Sequence, residues 1–203
     1  MPRNAEDNKR IKDERREDIL TASRAVFARK GLAAAKMSDI AAAAGLSYGL
    51  VYHYFDSKEA IFAEIVKTAV EETLSFASSL DFSGTTPLEK LRAFCEYKIQ
   101  RLQNRPEMHL IITQAFATDT IPEEALTSVK QYGSKVSELV RSWIQEGQKE
   151  RQIIAGDPVE LDMALFCALQ GLAMLQLCRR VVPRGMPSVD TFLRMISVRG
   201  EPS

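Results

Sequence analysis

The sequence has few of the residues from which catalytic and metal sites are usually built. It contains two histidines and three cysteines, and the cysteines at 95, 167 and 178 do not have metal-ligand spacing. Cys167 and Cys178 would lie roughly 16 Å apart along one helix, which is too far for a disulfide. No nucleophile elbow, phosphate loop or dinucleotide fingerprint occurs. The sequence therefore predicts neither an enzyme nor a metalloprotein, and no catalytic residue, metal or cofactor is expected.

Charge of one sign is not in excess, and no hydrophobic run is long. Lysine plus arginine and aspartate plus glutamate each total 27, so any contact with nucleic acid must depend on a local surface. The least charged stretch, residues 163–178, is shorter than the roughly 20 residues of a membrane span. It predicts a buried helix. The first eighteen residues are polar and mixed in charge, unlike a targeting segment, so we expect a cytoplasmic protein without a membrane partner.

Alternation typical of strands is also lacking, whereas apolar residues recur at helical spacing between helix-capping signals. The pattern predicts an all-α fold of about nine helices. Thr86-Pro87-Leu88-Glu89, for example, combines a cap, a proline in the first turn and a capping-box glutamate. The predicted helices cover residues 15–30, 38–44, 48–54, 56–80, 87–105, 106–118, 122–150, 158–180 and 188–198.

The short second and third helices have the pattern of a helix-turn-helix. Counted from Met37, Ala41, Gly45 and Val51 occupy positions five, nine and fifteen, where a small residue, a residue tolerating positive φ and an apolar plug are needed. Ser47 is suited to cap the third helix. Val51 and Phe55, four apart, would face inward and leave the aromatic side chains of the third helix outside.

Gly49 lies in this third helix at a cost of roughly 1 kcal/mol relative to alanine. Close approach of a phosphate backbone to the exposed face would explain the glycine and its neighbouring tyrosines. Packing of these aromatic residues between helices is the alternative.

Residues from about Ile19 to Val66 closely resemble the amino-terminal domain of the TetR/AcrR family of transcriptional regulators. The resemblance rests on Gly31, on Asp39-Ile40-Ala41, on 44–49 (AGLSYG) and on 51–59 (VYHYFDSKE). It implies a three-helix DNA-binding domain with an amino-terminal arm at residues 1–58. A helical-bundle domain for ligand binding and dimerisation would follow at 59–203. The expected function is a ligand-responsive repressor.

The resemblance also implies which residues contact double-stranded operator DNA. Tyr52 and Lys58 match phosphate contacts of the family, with His53 and Tyr54 beside them. Base-reading or closely approaching positions are Ser38, Ser47, Tyr48 and Gly49. Lys36 stands near a position where family members often have a hydroxyl, and would replace that contact with a charge. Leu50 stands where a polar side chain is common; contact with a thymine methyl and simple packing are equally compatible with it.

In the larger domain, three polar residues interrupt apolar stripes: Lys98, His109 and Gln170. A small-molecule effector would satisfy them, but a snorkelling lysine, a satisfied or surface histidine and a glutamine bonded across helices are the simpler interpretations. The apolar candidates for the same pocket, which we expect to be elongated, are Phe94, Phe116, Trp143, Phe166 and Met174.

Small residues at 164, 168 and 171 form a strip along the eighth helix that allows a second helix to approach closely. The family resemblance implies a homodimer through helices eight and nine, while a crossing within one chain is the alternative. Two other functions remain to be separated from a ligand-responsive repressor. One is a catalytic helical domain with a DNA-binding head, and the other is a domain that only dimerises or binds another protein.

Overall fold

The computed structural model describes residues 5–81, 84–117, 121–177 and 187–198, without the side chains of 5, 6, 8, 114–117, 176 and 177. These ranges form nine helices and one isolated antiparallel bridge, between Ile153 and Ser197. The helices are α1 (Ala5–Ala34), α2 (Met37–Ala44), α3 (Tyr48–Tyr54), α4 (Lys58–Ser79), α5 (Pro87–Asn104), α6 (Pro106–Ala117), α7 (Glu123–Lys149), α8 (Pro158–Leu177) and α9 (Val189–Leu193). The expected all-α fold is confirmed.

Helix α1 begins about ten residues earlier than predicted. Its charged first half is held by ion pairs one turn apart, including Arg10 with Asp7 and with Glu14. Such pairs stabilise a helix by about 0.2–0.5 kcal/mol each. The predicted break at Gly31 is confirmed, because its φ of 73° and ψ of 163° are non-helical, although a further helical segment continues to Ala34.

Contacts divide the chain into two compact units. The first comprises residues 1–69 and 110–128, and the second comprises 70–109 and 129–203. In the first unit, the rings of Phe27 on α1 and Phe62 on α4 meet edge to face with centroids 5.5 Å apart. Other side chains buried there include Ile19, Val26, Ile40, Val51, Phe55, Ile61 and Ile65. The predicted inward positions of Val51 and Phe55 are thus confirmed.

Helix α4 begins at Lys58, two residues later than predicted. Its first turn is capped by Ser57, whose Oγ accepts a hydrogen bond from the backbone N–H of Ala60 at 3.1 Å. The cap of α5 is as predicted. Thr86 Oγ1 accepts from the N–H of Glu89, and Glu89 Oε2 accepts from the N–H of Thr86 at 2.8 Å.

The core of the second unit is formed by α5, α7, α8 and α9 together with the end of α4. Its buried side chains include Leu91, Phe94, Cys95, Leu102, Val140, Trp143, Ile144, Leu165, Leu169, Phe192 and Leu193. Helix α9 has five residues and is shorter than the predicted 188–198. After it the chain becomes extended, because Ile196 O accepts the N–H of Ile154 and Val198 N–H donates to Gln152 O. The segment after α9 is thus hydrogen-bonded to residues 152–154, which follow α7.

The expectation that the eighth helix is a buried helix too short for a membrane is wrong on both counts. Within α8, the window from Pro158 to Leu175 has a mean hydropathy of 1.4 and is long enough to cross a membrane, judged by length and composition alone. Only 28% of this window is buried. One face packs into the core through Leu165, Leu169 and Leu172, while the other face is exposed.

Candidate functional site

The turn between α2 and α3 has the geometry that the sequence predicts. Gly45 adopts a left-handed conformation with φ 65° and ψ 28°, which favours glycine because a side chain would be strained there. Ser47 caps α3 by accepting the N–H of Leu50 at 3.2 Å. Val51 and Phe55 are buried. Helices α2 and α3 therefore form a helix-turn-helix with α3 as its second helix.

The outer face of α3 carries two tyrosines that are exposed although they are large. Tyr48 and Tyr52 are 54% and 40% exposed, with ring centroids 4.8 Å apart. The Tyr48 hydroxyl donates to the Tyr52 hydroxyl at 3.2 Å, and this hydrogen bond raises the pKa of Tyr52. Between them, a Cβ added to Gly49 would meet no atom within 4 Å. Packing within the chain does not require this glycine or these tyrosines, so the face is open to a partner.

The remaining predicted DNA contacts surround this face. Lys36 and Ser38 are exposed at the start of α2, and His53 is exposed on α3 with its ring 5.3 Å from that of Tyr54. Tyr54 and Leu50 are half-buried, so packing and contact with DNA both remain open for Leu50. These residues come from the turn region and from both of its helices.

Lys58 has a structural role that sequence reasoning missed. Its Nζ donates to the carbonyl oxygens of Leu32 at 2.8 Å, Ala33 at 3.0 Å and Ala35 at 2.9 Å. The three protons of an ammonium are all used by these bonds. Lys58 thus satisfies carbonyls beyond the Gly31 break, where α1 leaves them without helical partners. A phosphate contact, as the family resemblance implies, would require one of these bonds to be given up.

Asp39 is a second residue whose role emerged only from the structure. It accepts the backbone N–H of Lys36 at 3.0 Å and forms an ion pair with Lys30 at 2.8 Å. The bond from Lys30, followed by that from Lys36, lowers the pKa of the Asp39 carboxyl. Asp39 therefore joins the end of α1 to the start of α2. In the sequence, the one indication of this role is that Asp39 is an acidic residue in the first turn of a short helix, where a carboxylate stabilises the helix.

The structure does not gather all the effector candidates in one place. Phe94 and Trp143 are buried in the second unit, with ring centroids 6.1 Å apart. Phe166 and Met174 are 52% and 48% exposed on the outer face of α8, and Gln170 is half-buried beside them. The side chain of Phe116 lies outside the described residues.

The two basic candidates lie within the second unit. Lys98 is half-buried on α5, and His109 is 8% exposed on α6. Burial lowers the pKa of Lys98 to about 8. Burial, together with the charges of Lys98 and Arg101, lowers the pKa of His109 to about 4. At neutral pH, Lys98 therefore remains mostly charged whereas His109 is neutral.

A helix-turn-helix with an open aromatic face, followed by a larger helical region, defines a DNA-binding regulator. Residues 19–65 match the family described as bacterial regulatory proteins, tetR family. The expected resemblance to the TetR family is thereby confirmed, and it supports a DNA-binding transcriptional regulator.

One curated relative and two solved structures resemble most of the chain. The HTH-type transcriptional repressor KstR2 of Rhodococcus jostii is 27% identical over 180 residues, which cover 89% of this chain and 86% of the relative. The structure of the ketosteroid transcriptional regulator KstR2 of Mycobacterium tuberculosis has a TM-score of 0.75 at 19% identity, covering 91% of this chain and 96% of that one. The TetR family regulator PfmR from Thermus thermophilus has a TM-score of 0.70 at 23% identity, covering 87% and 93%. These structures share the fold.

Proposed function

We propose that the chain is a repressor that binds a palindromic operator as a homodimer and leaves it when a small, largely apolar effector binds. The DNA-binding part of this proposal is carried by the outer face of α3. Tyr48 and Tyr52 are exposed there on either side of Gly49, and packing among the described residues does not require them. The relative from Rhodococcus jostii is named a repressor, which supports the direction of regulation. Action on DNA places the protein in the cytoplasm.

The proposed contacts divide into positioning and reading of bases. The hydroxyls of Tyr52 and Tyr54, the His53 ring and the Lys36 ammonium would contact phosphates. Ser38, Ser47 and Tyr48, at the start of their helices, would read base edges in the major groove, since the first residues of a recognition helix contact bases. Gly49 would let the backbone approach DNA closely. Leu50 would contact a thymine methyl if it turns outward.

A second copy of the chain is the occupant that we propose for the exposed face of α8. Its exposed side chains are Val159, Met163, Phe166, Cys167, Met174 and Leu175, alongside the small residues Ala164 and Gly171. Exposed apolar patches of this kind mark interaction surfaces, and a two-fold axis lets one such helix pack on its own copy. Helix α9 buries Phe192 and Leu193 within its own unit, so only its remaining, exposed side chains could take part in the proposed dimer interface.

Lipid is a less suitable occupant of the same face. The apolar window of α8 includes the exposed Glu160 and also Asp162, whose Oδ2 accepts a hydrogen bond from Arg141 Nε at 2.9 Å. Carboxylates are costly inside a bilayer. A protein partner leaves both groups at the hydrated end of the helix.

The test of operator binding is footprinting of the full chain on its own promoter region, combined with a measurement of stoichiometry. We expect two protected half-sites related by two-fold symmetry, with centres about 34–36 Å apart, and two chains on each operator. Protection of a single half-site by one chain at micromolar concentration would contradict the proposal.

A domain that only dimerises is the second candidate for the helical region. The exposed face of α8 favours it, because this face explains the apolar surface without any effector. The two candidates differ in the response of the DNA complex to small molecules, which only the first predicts.

A further inference from the structure

The hydroxyl groups of the two exposed tyrosines on α3 form a pair on its outer face. Tyr48 and Tyr52 are four residues apart, so their side chains lie on the same side of the helix. Their hydroxyl oxygens are 3.2 Å apart, with Tyr48 as the donor, and their rings meet edge to face with centroids 4.8 Å apart. The two side chains are therefore a preformed unit, held together by a hydrogen bond and by a ring contact.

This tyrosine pair is directed at solvent and has no other hydrogen-bond partner in the part of the chain that the structure describes. Tyr48 is 54% exposed and Tyr52 is 40% exposed. The surface between them is also open, because a Cβ added to Gly49 would meet no atom within 4 Å. The hydrogen-bonding capacity that the pair does not use internally is thus available to a partner.

Contact with DNA fixes the direction of the hydrogen bond within the pair. A phenolic hydroxyl has one proton to donate and lone pairs with which to accept. A phosphodiester oxygen only accepts, so a tyrosine that contacts phosphate must use its own proton for that contact. Once Tyr52 donates to phosphate, the bond between the two hydroxyls can use only the proton of Tyr48. The direction is then from Tyr48 to Tyr52 and from Tyr52 to phosphate, as the geometry of the free protein already has it for the first step.

This direction leaves the Tyr48 hydroxyl with lone pairs alone for contact with a base. In the major groove, adenine N6 and cytosine N4 are amino donors, whereas guanine O6 and thymine O4 are acceptors. We infer that Tyr52 is a positioning residue that turns Tyr48 into an acceptor, so that Tyr48 selects adenine or cytosine on the strand that it contacts. The inference rests on the DNA binding proposed above and adds to it the chemical class of base that is read.

Exclusion of water by DNA makes this selection effective. In the free protein, water can serve the lone pairs of the Tyr48 oxygen. On DNA, the same oxygen opposite a base carbonyl would be left without a donor, and an unsatisfied polar group in a closed interface is costly. We expect the wild type to prefer the amino-bearing base by at least about fivefold, in the range typical of one altered base pair.

The experiment measures the affinity of the full chain for variants of its operator, after footprinting has located that operator. Each position of a half-site is changed by exchanging adenine with guanine or cytosine with thymine, which replaces an amino group by a carbonyl, or the reverse, in the major groove. The wild type is compared with Tyr48→Phe, Tyr52→Phe and Tyr54→Phe. Tyr54 is the matched control, because it lies on the same helix and is proposed to contact phosphate but has no hydrogen bond to Tyr48 among the described residues.

The position read by Tyr48 is the one at which Tyr48→Phe removes the base preference. At that position, the wild type should lose at least about fivefold in affinity when the amino group is exchanged for a carbonyl. It should lose as much when adenine is replaced by purine, or cytosine by 2-pyrimidinone, on one strand, since these bases lack only the amino group. Tyr52→Phe should bind the amino and carbonyl variants about equally, because the Tyr48 proton is then free to turn to the carbonyl. Tyr54→Phe should bind all variants more weakly and keep the preference.

Three results would overturn the inference. They are a preference at this position that survives Tyr52→Phe, an affinity of the wild type that does not change when the amino group is removed from either strand, and the absence of any position at which Tyr48→Phe changes the preference. Urea unfolding of Tyr48→Phe and Tyr52→Phe should match that of the wild type, since both side chains are exposed. A change of base preference at unchanged stability is a result that a merely structural role of Tyr52 does not produce.

Failure of the inference can be told from failure of the proposed function. A chain that protects no operator in footprinting would reject the proposed DNA binding itself. A symmetric footprint with a base preference that is independent of Tyr52 would leave the operator binding intact and reject only the role of the tyrosine pair.

Discussion

At the scale of single residues, two side chains in the DNA-binding region resemble each other in sequence but differ in structure. Lys36 and Lys58 are both predicted to meet phosphate, yet Lys36 is exposed while the Lys58 ammonium is fully used by three backbone carbonyls. A free charge near DNA releases counter-ions when it binds, whereas an ammonium held by carbonyls chiefly stabilises the fold. The two lysines should therefore affect different measurements.

Lys58→Ala is expected to lower the free energy of unfolding of the chain by about 1–3 kcal/mol, because it leaves carbonyls at the end of α1 without partners. Operator affinity should fall through loss of the α1–α2 geometry, with little change in its salt dependence. Lys36→Ala should instead keep stability and reduce the salt slope by about one. Urea unfolding and salt titrations of operator binding provide the comparison. A slope reduced by about one in Lys58→Ala would establish a phosphate contact for Lys58 instead.

Gly49→Ala should stabilise the protein while weakening its binding to DNA. The added Cβ meets no atom within 4 Å, and alanine favours a helix over glycine by about 0.5–1 kcal/mol. On DNA, the same methyl group would occupy the space through which the backbone approaches. The matched control is Gly133→Ala in α7, where a Cβ is equally free of contacts. Both variants should gain stability in urea, but only Gly49→Ala should lose operator affinity; unchanged affinity would mean that no close approach occurs at Gly49.

At the scale of elements, α8 is the helix whose two faces differ most. Its inner face is part of the core of the second unit, and its outer face exposes large apolar side chains. Phe166, at 52% exposure, can be changed without disturbing the core. A substitution of Phe166 can therefore test dimerisation without impairing folding.

Phe166→Glu should convert the dimer to monomers while the melting transition remains cooperative, because two like charges would face each other across the axis. Gln131→Glu, which adds the same charge at an exposed site of α7, should remain dimeric. Sedimentation measures the oligomeric state. A dimer that persists in Phe166→Glu would move the interface away from this face.

Cys167 provides an independent test of the proposed α8 interface. It is exposed, while Cys95 is buried with its pKa raised to about 12 by burial and should stay unreactive. In a Cys178→Ser background, a maleimide should therefore label Cys167 slowly in the dimer and rapidly in Phe166→Glu.

At the scale of the whole molecule, the proposed response requires the two units to influence each other through the chain that they share. Helix α4 has residues in both units, since Lys58–Ala69 belong to the first and Val70–Ser79 to the second. To change operator occupancy from 99:1 to 1:99, an effector must favour the released form by about 5.5 kcal/mol. Operator DNA must then weaken effector binding by the same factor.

Titration of the effector with and without operator DNA measures this coupling directly. We expect affinity for the effector to fall when the operator is bound, by a factor equal to the loss of operator affinity when the effector is saturating. Equal affinities in the two titrations would reject allosteric release and leave dimerisation as the function of the helical region.

The helix-turn-helix could be predicted from sequence almost residue by residue, because its signals are local. The φ of Gly45, the cap at Ser47 and the burial of Val51 depend on neighbours within about one helical turn or across one short turn. The same locality explains why the capping box at Thr86 was predicted correctly.

Features that depend on residues distant in sequence were decided only by the tertiary structure. The Lys58 ammonium bonds to carbonyls more than twenty residues earlier, and α9 ends early because residues 196–198 pair with 152–154. For α8, composition alone predicted burial, but a helix is buried only where other elements cover it. Local capping and turn signals are present in the sequence itself, whereas the neighbours that cover a face or accept a distant hydrogen bond are known only once the chain is folded.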